Sequence, residues 1–190
     1  METVSKQDMR IIAGEYRGRI IRMPKDANVR PTQDRVREAV FNVIRERIPR
    51  SSVLDLYAGS GAFGIEALSR GAERILFVDN NINCAKIIKE NIAIFKDTAE
   101  RTQVLKLDAI RAISRLEKEG KFDIIFLDPP YYKEIAKNAL IKIGACAILS
   151  ERGFIAAEHA AKDILPDETG CIRLVKRKIY GDTAVSYYKA

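Results

Sequence analysis

Short apolar runs of strand length alternate with amphipathic helical stretches between residues 51 and 160. The runs are apolar at nearly every position, which is typical of parallel strands covered by helices on both faces. They comprise residues 52–57, 74–79, 104–108, 122–128 and 153–158. Helical periodicity extends over residues 82–95, 110–116 and 135–149. The alternation predicts an α/β domain whose strands are joined by right-handed crossovers.

Both ends of the chain depart from this alternation. Gly181-Asp182 separates residues 172–180 from residues 183–189, and this dipeptide between strand-like runs predicts an antiparallel hairpin. Residues 9–23 alternate around two glycines and predict a small basic hairpin. Between this hairpin and the alternating region, Thr32 is a candidate N-cap of a further helix, with a buried stripe at Val36, Val40, Val43 and Ile44. The five runs and the C-terminal hairpin make a mostly parallel sheet of seven strands.

Positive charge is concentrated at the two ends of the chain. The net charge is +7, yet the middle of the chain is slightly acidic, with 16 Lys/Arg and 18 Asp/Glu in residues 51–170. Residues 1–50 hold 12 Lys/Arg and 7 Asp/Glu, and residues 171–190 hold 5 and 1. Clustered cationic surface attracts polyanions by releasing their counterions, so a nucleic acid is a candidate partner.

Several classes of protein are disfavoured by simple absences in the sequence. No apolar run approaches the roughly 20 residues that span a bilayer, and residues 1–6 lack the apolar centre of a signal peptide. The three cysteines are far apart, and the single histidine, His159, adds too few ligands for a metal site. We therefore expect a cytoplasmic protein with free thiols, no membrane span and no metal, in which His159 has no special function.

A glycine-rich loop follows the first apolar run and is accompanied by three acids. Gly59, Gly61 and Gly64 have the spacing GxGxxG, which lets the backbone turn sharply and approach a ligand closely. One acid precedes the glycines, and the other two end the second and third runs; they are Asp55, Asp79 and Asp108. All three are expected at the carboxyl edge of the sheet, where doubly wound folds bind their ligands.

The acids distinguish between possible cofactors. Asp79 can accept hydrogen bonds from both ribose hydroxyls, Asp108 one from an adenine amine, and Asp55 can hold an ammonium group through water. An acid inside the glycine loop would repel a pyrophosphate but suits the sulfonium and ammonium of S-adenosylmethionine. The predicted cofactor-binding residues are Asp55, Tyr57, Ala58, Gly59, Ser60, Gly61, Gly64, Asp79, Asn80, Asp108 and Ala109.

The sequence Asp128-Pro129-Pro130-Tyr131 directly follows the fourth run. The Asp128 carboxylate and the Pro129 carbonyl can each accept one N–H bond from an exocyclic amine, which orients it for in-line methyl transfer. The prolines stiffen the loop, and Tyr131 offers a face on which a flipped base can stack. The predicted catalytic set for an amino-methyltransferase is Asp128, Pro129, Pro130 and Tyr131. Tyr132 is a further candidate that could assist them.

The chain resembles the RsmD-type 16S ribosomal RNA guanine-N2 methyltransferases over nearly its whole length. The resemblance rests on residues 9–19, the RPTxDRVRE block at 30–38, residues 53–64 and 66–72, the DPPY sequence, and Tyr180-Gly181-Asp182-Thr183. It implies a Rossmann-like class I S-adenosylmethionine-dependent methyltransferase. Residues 1–28 would form a basic N-terminal extension with a β-hairpin, and residues 29–190 the methyltransferase domain, which includes the helix after Arg30-Pro31-Thr32.

The resemblance also implies a substrate and a surface that binds it. The substrate would be the N2 amine of a guanine in small-subunit ribosomal RNA, at position 966 in the family, within naked RNA or an assembling or assembled 30S subunit, and the enzyme would be a monomer. The predicted RNA-binding residues are Arg10, Arg17, Arg19, Arg30, Thr32 and Arg35. Two departures from the family pattern are Asp79, where the family usually has Glu, and the eight residues before Met9, to which we assign no role.

Other functions share parts of this pattern. DNA adenine-N6 and cytosine-N4 methyltransferases have the DPPY sequence but lack the RPTxDRVRE block. Glutamine-modifying protein methyltransferases have the sequence Asn-Pro-Pro-Tyr in place of Asp-Pro-Pro-Tyr. A non-catalytic RNA-binding assembly factor with a decayed cofactor site is a further alternative, against which the intact glycines and acids argue.

Overall fold

The computed structural model describes residues 9–24, 34–96, 98–131 and 134–190. Five parallel strands form the first part of its main sheet, as the alternation predicted. They are β3 Ser52–Leu56, β4 Arg74–Asp79, β5 Thr102–Lys106, β6 Phe122–Leu127 and β7 Leu149–Ala160. β3 lies between β4 and β6, so the chain reverses its direction of winding there, and the carboxyl end of β3 is the position at which doubly wound folds bind their ligands.

The predicted C-terminal hairpin extends this sheet with antiparallel strands. β10 Thr183–Lys189 pairs with both β7 and β9 Ile172–Tyr180, with a bulge between Tyr187 and Tyr188. A two-residue strand that was not predicted, β8 Glu168–Thr169, makes an eighth strand at the edge. β8 pairs only with the start of β9, so the outer side of β9 beyond Leu174 has no strand partner in the described part of the chain. The seven predicted strands and the Rossmann-like fold are confirmed.

Helices cover both faces of the sheet because strand side chains alternate between two cores. Val53 and Phe77 belong to one core, and Leu54 and Val78 belong to the other. The first core is completed by α1 Asp34–Ile44, which continues into a 3₁₀ turn Arg45–Arg47, and by α2 Ala62–Ser69 and α3 Ile82–Ile92. The second is completed by α4 Ala109–Leu116 and α5 Ile135–Cys146.

Several predicted boundaries are wrong: α3 ends at Ile92 rather than at residue 95, β5 begins at Thr102 rather than at residue 104, and two further differences have a clear local cause. β5 ends at Lys106 rather than at residue 108, because the Asp108 side chain accepts a hydrogen bond from the Arg111 amide and N-caps α4. α5 ends at Cys146 rather than at residue 149, because Ala147 adopts a left-handed conformation with φ 48°. This early end frees the chain for β7, which is longer than the predicted run 153–158.

The N-terminal hairpin is present, but its strands are short and it shares the core of the sheet. β1 Met9–Arg10 pairs with β2 Ile20–Ile21. Met9, Ile11 and Ile21 are buried in the same core as Phe41 and Phe63. The division of the chain proposed at residue 28 lies in residues 25–33, outside the described residues.

Candidate active site

The glycine loop leaves β3 through left-handed backbone conformations at Tyr57, Gly59 and Gly61. Tyr57 has φ 61°, a left-handed conformation that a non-glycine residue rarely adopts, and Gly61 has φ 81° immediately before α2. The Ala58 amide donates to the Val78 carbonyl at 3.0 Å, and the Gly61 amide donates to the Ala58 carbonyl at 2.7 Å. The loop is therefore bent tightly over the carboxyl ends of β3 and β4.

Asp79 ends β4 as predicted and is fixed by two backbone amides. Its Oδ2 accepts from the Gly59 amide at 2.9 Å and its Oδ1 from the Asn81 amide at 2.8 Å. The Cys84 thiol lies beside it; burial first, and then the charge of Asp79, raise the pKa of Cys84 to about 11. The carboxylate is held against the glycine loop with lone pairs left to accept from ribose hydroxyls.

Asp108 lies beyond the end of β5, and its carboxylate is exposed. Burial, and then the charge of Asp108, raise the pKa of Tyr57 to about 12, so these two side chains share one neighbourhood. Ala109 is the buried first residue of α4, and Asn80 is exposed directly after β4. The N-terminus of α4 and the end of β4 thus flank the glycine loop on the side predicted for adenine and ribose.

Asp55 is buried near the carboxyl end of β3 and holds the start of α2. Only 2% of it is exposed, and its Oδ2 accepts from the Gly64 amide at 2.9 Å. Burial raises the pKa of Asp55 well above its ordinary value, and the negative charges of Asp128 and Asp79 add to this shift. Three carboxylates thus meet at one edge of the sheet, which favours a cationic ligand and disfavours a pyrophosphate.

We expect Asp55→Asn to stabilise the free protein at neutral pH and to weaken its binding of S-adenosylhomocysteine. A carboxyl whose pKa is raised in the folded state loses stability as the pH rises, whereas the amide does not ionise and still accepts from Gly64. The stability difference should shrink as the pH falls toward about 4, the ordinary pKa of aspartate. Denaturant titrations at several pH values and calorimetry measure the two effects. If Asp55→Asn were less stable than the wild type at pH 8, the interpretation that burial of the ionised Asp55 destabilises the fold would be contradicted.

The predicted catalytic residues lie on the loop that follows β6, next to the glycine loop. The Asp128 amide donates to the Leu56 carbonyl at 3.5 Å, which ties this loop to the end of β3. Asp128 and Tyr131 are half-buried, Pro129 is buried, and Pro130 is exposed. Because β6 pairs with β3, the predicted catalytic carboxylate lies at the same edge of the sheet as the cofactor loop, and its charge contributes to the raised pKa of Asp55. Tyr132 lies outside the described residues.

Two residues that the sequence did not indicate as part of the site contact the hydroxyl group of Tyr131. Its oxygen lies 2.9 Å from Glu158 Oε1 and 2.8 Å from Thr183 Oγ1. Glu158 is near the end of β7, whose carboxyl end lies at the same edge as that of β6. The sequence places Glu158 in the fifth apolar run and Thr183 directly after the hairpin turn. Neither position indicates that the side chain contacts Tyr131.

His159 is buried in the sheet, and both of its ring nitrogens make hydrogen bonds to neighbouring groups. Its Nδ1 lies 2.9 Å from the Ala160 carbonyl and must donate to it, so Nε2, 2.9 Å from Ser186 Oγ, accepts in the neutral ring. Burial lowers the pKa of His159, which keeps the ring neutral. All three cysteines are free. In the described ranges there is no cluster of side chains that could hold a metal ion and no helix long and apolar enough to cross a membrane.

Four of the predicted RNA-binding residues are described and exposed: Arg10, Arg17, Arg19 and Arg35. Arg10 also donates to the Gly18 carbonyl at 3.1 Å, across the hairpin. Arg30 and Thr32 lie outside the described residues. Arg37, from the same sequence block, is fully buried, and its guanidinium donates to the Arg10 carbonyl and to Asp34. Its role is therefore to fasten α1 to the hairpin.

Buried polar side chains attach the hairpin to the helices of the cofactor half. Glu66 of α2 is fully buried and accepts from the amides of Ile12 and Ala13, at 2.7 and 3.0 Å. Asn91 of α3, also fully buried, bonds the backbone of Arg22 and donates to the Ser60 carbonyl of the glycine loop at 2.9 Å. The N-terminal hairpin and the cofactor loop are thus held by the same framework.

Comparison with known proteins identifies the family. The family model "Conserved hypothetical protein 95" matches residues 9–189. YlbH of Bacillus subtilis is 40% identical over 182 residues, covering 95% of this chain and 98% of that protein. Ribosomal RNA small subunit methyltransferase D of Escherichia coli is 30% identical over 181 residues, covering 95% and 89%.

Solved structures share the fold. HI0767 of Haemophilus influenzae superimposes with a TM-score of 0.82 at 30% identity, over 95% of this chain and 97% of that one. SMU.776, solved in complex with S-adenosylhomocysteine, has a TM-score of 0.65 at 19% identity, over 85% and 50%, and shares the fold alone. The resemblance inferred from the sequence motifs is confirmed, and the chain belongs to the Conserved hypothetical protein 95 family, that of the RsmD-type ribosomal RNA methyltransferases.

Proposed function

We propose that this protein transfers a methyl group from S-adenosylmethionine to the N2 amine of a guanine in 16S ribosomal RNA. The observation that carries the proposal is that Asp55, Asp79 and Asp128 lie at the carboxyl ends of neighbouring strands, beside the glycine loop and on the loop that also bears Tyr131. The family membership supports a ribosomal RNA substrate of the small subunit, and guanine 966 is the nucleotide that we propose from the resemblance of the sequence motifs.

The donor set at the glycine loop fits this cofactor. Asp79, held by two backbone amides, would present its carboxylate to the ribose, and Asp108 and Ala109 at the start of α4 would bind the adenine. A site lined by carboxylates attracts a molecule that carries a sulfonium and an ammonium group. When bound, S-adenosylmethionine supplies an electrophilic methyl group. The shared fold of SMU.776, whose structure contains S-adenosylhomocysteine, is consistent with such a site.

The residues on the β6–α5 loop would act on the acceptor base. The exocyclic amine of guanine is a poor nucleophile because its lone pair is delocalised into the ring. The Asp128 carboxylate and the Pro129 carbonyl would each accept one N–H bond, which orients the lone pair toward the methyl group. Tyr131 would stack against the extruded base and hold its plane beside Asp128.

One experiment tests the proposal against its alternatives. The purified protein is incubated with labelled S-adenosylmethionine and either naked 16S RNA, 30S subunits or DNA, and the modified nucleoside is identified by mass spectrometry. N2-methylguanosine is the expected product. Methyl groups on adenine or cytosine in DNA would favour the DNA methyltransferase alternative. Cofactor and RNA binding without any transfer would favour a non-catalytic assembly factor.

We also propose that the exposed arginines of the hairpin bind the RNA backbone, and point substitutions test this. Arg17→Gln/Arg19→Gln should weaken RNA binding and flatten its salt dependence by roughly 0.7–0.9 log units per log salt for each lost phosphate contact. Deleting the hairpin is unsuitable, because Ile11 and Ile21 are part of the core.

The matched control for this pair is Lys118→Gln/Lys121→Gln. Both lysines are exposed, and they lie between α4 and β6, at the opposite edge of the sheet from the site. Filter binding at several salt concentrations compares the two pairs. An equal loss of RNA affinity in the arginine pair and in the lysine pair would indicate a general charge effect and would contradict a docking role for the hairpin.

A further inference from the structure

The hydroxyl group of Tyr131 joins a chain of hydrogen bonds with a definite direction. The Tyr131 hydroxyl donates to Glu158 Oε1 at 2.9 Å. Because a phenol has a single proton, its oxygen must accept in the second contact, so the Thr183 hydroxyl donates to it at 2.8 Å. The order Thr183 to Tyr131 to Glu158 therefore uses both the donor and an acceptor position of the phenol.

The two partners of Tyr131 are anchored by the sheet. Glu158 is 7% exposed and pairs with Val185 of β10. Thr183 is 6% exposed and, as the first residue of β10, pairs with both Ala160 of β7 and Tyr180 of β9. Their backbones are fixed from neighbouring strands, whereas Tyr131 lies on a loop. The sheet therefore determines where the hydroxyl of Tyr131 lies.

The environment also keeps Tyr131 in the protonated form that this chain requires. Burial raises the pKa of Tyr131 well above its ordinary value; the hydrogen bond with Thr183 opposes this shift, and the charges of Glu158 and Asp128 reinforce it. The phenol thus remains a donor to Glu158. With the hydroxyl held at one end and the prolines stiffening the backbone at the other, the ring has little freedom to tilt.

We propose that Glu158 and Thr183 are positioning residues that hold the ring of Tyr131 at the angle needed to stack the target base beside Asp128. This inference rests on the proposed function, in which Tyr131 meets the base. It differs from a merely structural role of the same residues, because it predicts an effect on the rate of transfer without an effect on cofactor binding.

Kinetics of matched variants test the inference. Thr183→Val keeps the shape of the side chain but removes the donor, and should lower the single-turnover rate constant by roughly three- to tenfold, the effect of about one hydrogen bond. Thr183→Ser and Glu158→Gln retain a donor and an acceptor, and should stay near the wild-type rate. The affinity for S-adenosylhomocysteine should be unchanged in all three. In the Tyr131→Phe background, Thr183→Val should have no further effect.

The same loss from Thr183→Val in the Tyr131→Phe background would overturn the inference, because the effect would then not pass through the hydroxyl. An unchanged rate in both Thr183→Val and Glu158→Leu would overturn it as well. If Glu158→Leu fails to fold, the comparison of Thr183→Val with Thr183→Ser still decides the question.

Fluorine NMR separates this inference from the proposed function. The protein is labelled with 3-fluorotyrosine, and the Tyr131 signal is assigned by its loss in Tyr131→Phe. Thr183→Val should shift and broaden this signal as the ring becomes mobile, and Thr183→Ser should not. An unchanged signal in Thr183→Val would exclude a positioning role even if the protein methylates guanine. Absence of methylation with the expected broadening would instead count against the proposed function alone.

Discussion

Asp128→Ala is expected to slow methyl transfer by about 100- to 1,000-fold, the usual cost of losing one positioned acceptor in a transition state. The carboxylate would accept an N–H bond from the guanine amine as positive charge develops on that nitrogen. The fold should persist, because the loop is tied to β3 through the Asp128 backbone and the side chain is only half-buried. Single-turnover assays with saturating cofactor measure the rate constant, and calorimetry measures the cofactor affinity.

Asp128→Asn is the matched variant for this prediction. Its amide oxygen still accepts one hydrogen bond but carries no charge, so its loss of rate should be smaller than that of the alanine variant. Near-normal transfer by Asp128→Ala would assign Asp128 to the turn after β6 instead of to the chemistry. Loss of cofactor binding in parallel with activity would place the carboxylate in the cofactor site.

Gly64→Ala is expected to lower the free energy of unfolding by about 1–3 kcal/mol, the usual cost of overpacking a core. A Cβ atom at this position would overlap the ring of Phe77, which is fully buried in β4, and would lie 2.9 Å from Ile75 Cγ2. Because α2 cannot then lie as close to the sheet, the hydrogen bond from the Gly64 amide to Asp55 should also weaken. Cofactor affinity should therefore fall together with stability.

A second-site variant tests whether Phe77 is the cause. Phe77→Leu removes the ring atoms that a Cβ would meet, so Gly64→Ala should cost less in the Phe77→Leu background than in the wild type. Denaturant titrations of the four proteins give the coupling free energy. Additive effects would show that the helix accommodates the methyl group without contacting Phe77.

The sequence predicted β3, β4, β6 and the inner part of β7 well because these strands are buried on both faces and are apolar at nearly every position, whereas β5, at the edge of the sheet, is only partly buried. The end of β5 was less accessible. Leu107 continues the apolar pattern toward Asp108, but the Asp108 side chain caps α4, and local capping ends the strand earlier than hydrophobicity suggests. β8 has only two residues, too few to produce any periodicity.

In the candidate site too, residues that are placed by local sequence features could be predicted, and residues that are placed by contacts distant in sequence could not. The loop from β3 to α2 and Asp79 could be placed because glycine spacing and strand ends are local signals. Glu66 gave no such signal: it resembles a surface acid of α2, yet it is fully buried to bind Ile12 and Ala13, 54 and 53 residues away. The contacts of Tyr131 with Glu158 and Thr183 likewise depend on how distant strands are paired.

β8 covers only the start of β9, so most of β9 forms an open edge of the sheet in the described part of the chain. Such an edge affects how readily the protein aggregates. In the described part of the chain, those backbone groups of β9 beyond Leu174 that do not bond β10 face outward without a neighbouring strand, and such an edge is a template for pairing with another molecule. Lys176, Arg177 and Lys178 occupy this stretch. Two copies that approached edge to edge would bring these like charges together. Electrostatic repulsion therefore protects an edge that its hydrogen-bonding groups alone would leave open to intermolecular sheet formation.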